Sequence, residues 1–308
     1  MPRVVSEDYV CKVKRPGDFD DFWGDVLAQA AKIPLNVEVL RDPLRSSDEI
    51  ETYQVFYDSL DHVRVAGWYC LPKNRSGRLP GMLFLPGYQS DPAVPKEWAR
   101  RGYATLTAAP RGKLRSNSQF NPGYPNLLTH NITDRNTYSY RGFYVDAWRG
   151  IDFLLGRFEV DPDRIGVAGS SQGGGLTITT AAMRQEVKAA SAGAPYLCGY
   201  MDAIELSHTY PYHEINDYLR LHPDSREDVE NTLAYFDGIS FADKVTCPII
   251  VNIGLQDNVC PPETGYSLFR TIGSRDKTLY PYDGHGHEAG RYKHEAIVVE
   301  FFRTHLNP

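Results

Sequence analysis

Apolar positions recur along this chain with two periods. Between residues 17 and 32, Phe19, Phe22, Trp23, Val26 and Leu27 return at helical spacing, and Asp18 stands where a cap belongs. The pattern predicts an amphipathic helix laid against the body of the fold. From Glu51 to Leu71 β-branched and aromatic residues are frequent, and the break at Asp61-His62 predicts a hairpin. Gly81–Pro86 and Tyr103–Ala109 are almost wholly apolar, as buried parallel strands are, with a short helix over Lys96–Arg101 between them. That strand–helix–strand order implies a right-handed crossover. Buried strands are also expected at Ile165–Ala168 and Pro248–Gly254, a strand of mostly small residues at Val187–Gly193, and a last one at Lys277–Tyr282. Helices are expected at 141–157, after Gly174, and at 291–305.

Two stretches break these periods. Residues 111–137 are polar and rich in Asn, Gly, Pro and Ser, which marks a long loop that is functional or packs on a partner. Residues 196–246 read as a mostly helical insertion carrying Tyr210, Tyr212, Tyr218 and Tyr235. No internal repeat, low-complexity tract or linker divides the chain. Residues 1–308 are therefore read as one α/β domain with insertions, its sheet mostly parallel and flanked by helices on both faces.

Composition narrows the partners. The chain has 308 residues, 42% hydrophobic and 23% charged, and its net charge of -6 is scattered without a basic stripe. Nucleic acid is not an expected partner. No apolar run is long enough for a membrane span, and Met1–Asp8 is too polar for a signal peptide. Cys11, Cys70, Cys198, Cys247 and Cys260 are an odd, scattered set without C-x-x-C spacing, expected as reduced thiols in a cytoplasmic protein. Asn131-Ile132-Thr133 fits a glycosylation acceptor but has no export signal beside it.

The chemistry centres on Gly169-Ser170-Ser171-Gln172-Gly173, directly after the strand at 165–168. A G-x-S-x-G between strand and helix is the nucleophile elbow of α/β-hydrolases. The sharp turn exposes the Ser171 hydroxyl at a helix N-terminus, where backbone N–H groups stabilise an oxyanion. A serine needs a base, and the base needs an orienting acid, in the chain order Ser, Asp or Glu, His. Asp257, just past the strand at 248–254, takes the acid's place. Two bases are available in Gly284-His285-Gly286-His287-Glu288. His285 lies closer to the end of the last strand and is preferred on spacing; His287 adds two residues of slack and stays open as the alternative. The oxyanion donors expected are the N–H groups of Gln172 and of Tyr88, the latter in the loop Leu85-Pro86-Gly87-Tyr88-Gln89. His285, His287, Glu288 and His294 are close in sequence but show no H-E-x-x-H pattern, and phosphate-binding and dinucleotide motifs are incomplete. No metal and no cofactor are expected.

With these residues in view the chain resembles the acetyl xylan esterase and cephalosporin C deacetylase family, carbohydrate esterase family seven, over nearly its whole length. The resemblance rests on the entry segment Pro16–Trp23, on Gly87-Tyr88, on Tyr140-Arg141-Gly142 with Asp146-Ala147, on Gly169–Gly174, and most specifically on Gly254-Leu255-Gln256-Asp257 through Cys260-Pro261-Pro262. Two positions depart. The family's Arg-Gly-Gln stands here as Arg111-Gly112-Lys113, and its terminal Gly-His-Glu is split between Gly284-His285 and His287-Glu288. The resemblance implies a serine esterase that removes acetyl or other short acyl groups from small oxygen esters. It also implies a homo-oligomer with active sites facing an internal cavity, the loop at 111–137 serving an interface. The alternatives are a peptidase or thioesterase on the same fold, and a non-catalytic binding protein that kept it.

Overall fold

In the computed structural model, which describes residues 5–308, nine strands join in one sheet. They are β1 Glu38–Arg41, β2 Ile50–Asp58, β3 Arg64–Pro72, β4 Leu79–Leu85, β5 Ala104–Ala109, β6 Val160–Ser170, β7 Val187–Gly193, β8 Ile249–Gly254 and β9 Lys277–Tyr282. Their spatial order is β1-β2-β3-β5-β4-β6-β7-β8-β9. The first three pair antiparallel with one another and with β5; the six from β5 to β9 run parallel. Every predicted strand is present. β1 was not predicted: it is a mostly exposed four-residue edge strand, so neither alternation nor a hydrophobic run marks it.

The helices are α1 Phe19–Ala31, α2 Lys96–Arg100, α3 Ser139–Leu155, α4 Gln172–Met183, α5 Tyr200–Leu206, α6 His213–Leu221, α7 Arg226–Ala234, α8 Gly238–Ala242, α9 Pro262–Thr271 and α10 Arg291–Leu306. Successive residues of a strand face opposite sides of a sheet, and β4 shows the result. Leu83 and Leu85 enter a large core with α1, α3, α4 and the insertion, while Met82 enters a smaller core with Phe302 and Leu306 of α10. Helices therefore cover both faces. The chain is an α/β fold with a mostly parallel central sheet.

α1 packs as its periodicity predicts, with Phe19, Phe22, Trp23 and Val26 buried. The Trp23 indole N–H donates to the Tyr235 carbonyl at 2.8 Å, tying α1 to the insertion. Asp18 does not cap α1; its carboxylate accepts from Arg135 and Tyr235 instead. The insertion is helical, but it is not a polar appendage. Tyr196, Tyr200, Tyr212, Phe236 and Phe241 are buried in the main core. The loop at 111–137 is irregular apart from a short turn at Leu114–Ser116, and it sinks Leu127, Leu128 and Ile132 completely into the same core.

The Arg111 and Asp146 motifs explain each other. Both side chains are buried, and the guanidinium grips the carboxylate through Nε and Nη2, each bond 2.9 Å, while the Arg111 backbone N–H adds a third at 2.8 Å. The Leu60 carbonyl accepts from Nη2 at 2.7 Å, which fixes the β2–β3 turn to the pair. A Cβ on Gly142 would lie 2.1 Å from the guanidinium carbon, so only glycine lets α3 pass over it. Removing one partner strands a buried charge, at about 3–5 kcal/mol. Asp146→Leu is accordingly expected to lose about that much stability in urea unfolding. Arg111→Met combined with Asp146→Leu should recover most of it, because no unpaired charge then remains.

His294 supplies a second test. It is buried on α10, with Nδ1 3.0 Å from the Tyr282 hydroxyl and no partner at Nε2. Burial pushes its pKa from 6.5 down to about 4. Between these values the unfolded chain takes up a proton that the folded chain refuses. The neutral ring therefore costs nothing above about pH 6.5, and stability falls as pH drops from there toward about 4. Unfolding free energies measured across that window should show a shallower acid slope for His294→Phe than for wild type.

Candidate active site

The sheet brings the site together at one edge. β4 leads through α2 to β5 on one side, whereas its neighbour β6 leads through α4 to β7 on the other. Where adjacent parallel strands send their chains in opposite directions, a crevice opens beyond their C-terminal ends. The loop after β4 carries Gly87 and Tyr88, the turn after β6 carries Ser171, and the loops after β8 and β9 carry Asp257 and the two histidines.

Ser171 has φ +59° and ψ -123°, a conformation that costs a non-glycine residue on the order of 1–3 kcal/mol. Its surroundings enforce it. The Ser171 N–H donates to the Gly193 carbonyl at 2.9 Å, and its own carbonyl accepts from Gly175 and Tyr196, both at 3.1 Å. A Cβ on Gly173 would lie 2.1 Å from the Leu85 carbonyl oxygen, so α4 touches the end of β4 through a bare backbone. Gln172 opens α4, where the first N–H groups have no partner within the helix. The N–H groups of Gln172 and Tyr88 are thereby carried by adjoining segments.

Asp257 is almost fully buried, with Oδ1 accepting from the N–H groups of Val259 at 2.8 Å and Cys260 at 2.9 Å. Its Oδ2 lies 2.8 Å from His287 Nδ1. His287 is half-buried and lines a cavity of about 470 Å³ together with Gly87, Tyr88 and Ser171. The structure thus gathers Ser171, Asp257, His287, Tyr88 and, through the helix start, Gln172.

His285 is turned elsewhere. Its Nδ1 lies 3.1 Å from Glu288 Oε1, and its ring meets Tyr282 edge-on. Spacing from the strand favours His285, yet the geometry gives the partnership with Asp257 to His287. The reason is the path of the loop. After β9 the backbone crosses the end of β8 first: the Gln256 N–H donates to the His285 carbonyl at 2.9 Å, and a Cβ on Gly254 would strike the Gly286 carbonyl at 1.9 Å. Two residues are consumed in the crossing, and the next side chain reaches Asp257.

The His/Glu cluster does not converge on one point, since His294 packs between Tyr280 and Tyr282. A different trio, Asp257, Cys260 and His287, has ligand atoms within 4.8 Å of one another. These are the residues that could hold a metal, at the cost of the Asp257–His287 bond. Burial raises the Cys260 thiol well above its ordinary range.

Sequence reasoning did not find Tyr210, Pro211 and Val259, which complete the cavity wall, or the groups supporting Tyr88. The Tyr88 hydroxyl donates to Glu214 Oε1 at 2.6 Å and accepts from the Leu128 N–H at 3.1 Å. Burial, then the adjacent Glu214 carboxylate, raise the Tyr88 phenol, and burial raises the Glu214 carboxyl. Lys113 is buried and donates to the carbonyls of Gly87 and Tyr88. The signal for it was the lysine in the Arg-Gly-Lys run.

Known proteins match this chain over most of its length. A family model for acetyl xylan esterase (AXE1) covers residues 4–305. The acetyl xylan esterase of Paenibacillus sp. R4 superposes with a TM-score of 0.91 at 33% identity, covering 97% of this chain and 98% of that one. Acetyl xylan esterase 1 of Thermoanaerobacterium sp. JW/SL YS485 superposes at 0.87 with 25% identity, covering 96% of each chain. Acetyl esterase Axe7A of Xylanibacter ruminicola is 29% identical over 284 residues, which are 86% of this chain but 62% of that protein. The chain thus spans only part of the length of this curated relative. With the family matched from end to end and the elbow, acid and histidine gathered at one sheet edge, the chain belongs to the acetyl xylan esterase family.

Proposed function

We propose that this protein is a serine esterase that removes acetyl or other short acyl groups from small oxygen esters such as acetylated sugars. The observation that carries the reading is the 2.8 Å contact from buried Asp257 to His287, whose ring lines the cavity that Ser171 also lines. Family membership supports the acetyl group as the acyl part.

In this reading Ser171 Oγ attacks the ester carbonyl while His287 Nε2 takes its proton. Asp257, bonded to Nδ1, holds the ring in the matching tautomer and stabilises the imidazolium. The tetrahedral oxyanion accepts from the N–H groups of Tyr88 and Gln172. His287 then returns the proton to the departing alcohol, leaving an acyl-serine. Water attacks that ester with His287 again as base, and the carboxylic acid leaves. Tyr210, Pro211 and Val259, with Gln89 and Ser90, form the rest of the wall that the ester would meet.

The described residues are read as a single domain, and the protein as a homo-oligomer. All five cysteines are free, which suits a reducing compartment such as the cytoplasm. No helix among the described residues is long and apolar enough to cross a membrane.

Turnover of p-nitrophenyl acetate is the direct test. Ser171→Ala is expected to lose activity by a factor on the order of 10⁴ or more, with only binding and oxyanion stabilisation left. Wild-type enzyme without turnover, or a Ser171→Ala variant equal to wild type, would overturn the reading. Faster cleavage of an N-acetyl anilide than of the acetate ester would point to a peptidase.

The base is tested by two alanine variants in the same assay. His287→Ala should be as inactive as Ser171→Ala, within about tenfold, because the two act as one unit. His285→Ala, which loses an exposed contact to Glu288 and an edge-on ring contact with Tyr282, should stay within about tenfold of wild type. The reverse pattern would return the role to His285.

A further inference from the structure

Lys113 is an expensive residue for its place. Its side chain is 2% exposed, and burial pushes the ammonium down to about 7, opposed only by the charge of Asp91. A buried amine with no carboxylate bonded to it is costly unless its hydrogens are well used. Here they go to two acceptors on one loop: the Gly87 carbonyl at 2.5 Å and the Tyr88 carbonyl. The ring of Tyr124 lies beneath the amine, 5.3 Å away at its centroid.

The choice of acceptors matters because peptide units are planar and trans. The Gly87 carbonyl and the Tyr88 N–H belong to the same unit and point in opposite directions. Whatever grips the carbonyl therefore aims the N–H. The bond to the Tyr88 carbonyl fixes the following unit as well, and an amide whose oxygen accepts a hydrogen bond becomes a better donor at its nitrogen.

We propose that Lys113 is a positioning residue for the oxyanion loop: by holding the Gly87 and Tyr88 carbonyls from behind, it aims the Tyr88 N–H into the cavity at the oxygen that becomes negative in the transition state.

The anchor is itself well fixed. Two residues earlier Arg111 is locked to Asp146, and the Lys113 carbonyl accepts from the Ser116 N–H at 2.7 Å. The Ser116 hydroxyl in turn accepts from the Ala66 N–H on β3 at 2.8 Å. The opposite end of Tyr88 is held by Glu214 and the Leu128 N–H, so the ring cannot follow a loosened backbone. Lys113 thus governs the orientation of the peptide unit rather than the location of the side chain. Glutamine at this position would offer two N–H hydrogens to the same carbonyls without a charge. Methionine would fill similar space and offer none.

This inference rests on the esterase reading, and the experiment separates the two. Wild type, Lys113→Met and Lys113→Gln are compared on p-nitrophenyl acetate, with thermal melts by circular dichroism. Acylation and deacylation both pass through an oxyanion, so a misaimed donor slows both and lowers kcat with little change in KM. Lys113→Met should lose kcat by a factor on the order of 10², as loss of one oxyanion donor does. Lys113→Gln should recover most of that loss. A trifluoromethyl ketone, whose hemiketal oxygen occupies the same hole, should bind Lys113→Met more weakly by a similar factor. A folded Lys113→Met with kcat within twofold of wild type overturns the proposal. So does a Lys113→Gln that melts like wild type yet stays as slow as Lys113→Met. Failure of the esterase reading appears instead in the wild type, as an absence of Ser171-dependent turnover.

Discussion

The constraint on which the rest depends is the backbone of Ser171. A residue at φ +59° between a strand and a helix is strained by roughly 1–3 kcal/mol, and it persists only if its neighbours over-determine it. Three backbone hydrogen bonds do so, each worth about 0.5–1.5 kcal/mol net. Two of them tie the turn to β7 and to the segment leaving it, and the third, from the Gly175 N–H, closes the first turn of α4, so the turn cannot relax without opening the sheet. The same crowding forces Gly173 against the end of β4, and that contact sets the loop of Tyr88 beside the start of α4. The order β5-β4-β6-β7 is thus a condition of the site, since only a β4 flanking β6 brings the two N–H groups onto one crevice.

Around this turn lie three buried polar arrangements, each satisfied in its own way. Arg111 and Asp146 neutralise each other, Tyr88 and Glu214 share a hydrogen bond, and Lys113 gives its hydrogens to main-chain oxygens. The Arg111 and Lys113 arrangements meet in three consecutive residues, Arg111-Gly112-Lys113. One end of that run is welded to α3 and the turn between β2 and β3; the other reaches the loop after β4. The run therefore ties the antiparallel edge of the sheet to the reactive end of its parallel part.

Much of this was legible in the sequence, for reasons that can be named. Buried parallel strands announce themselves as short runs of apolar or small residues, so β4, β5, β7 and β8 were found to within a few residues. The elbow was legible because its glycines answer to backbone contacts that no side chain could share. Asp257 followed from chain order. The histidine was harder, because distance along the chain measures reach only when the path is straight, and here the loop spends His285 and Gly286 crossing the end of β8. β1 carried no signal, since an exposed strand with one neighbour buries too little to leave a pattern. Tyr210 and Val259 were invisible because they meet the site only through the tertiary fold.

The cavity wall has a different origin from its floor. Ser171 stands at the start of α4 and Tyr88 and His287 on the loops after β4 and β9, whereas Tyr210 and Pro211 come from the connection between α5 and α6, and Val259 from the loop leading into α9. Substitutions in the wall leave the peptide units and the imidazole where the sheet holds them. Substitution can therefore reshape what the cavity admits while the groups at its floor stay in place. A lineage built on this scaffold is free to diversify in diet before it has to diversify in chemistry.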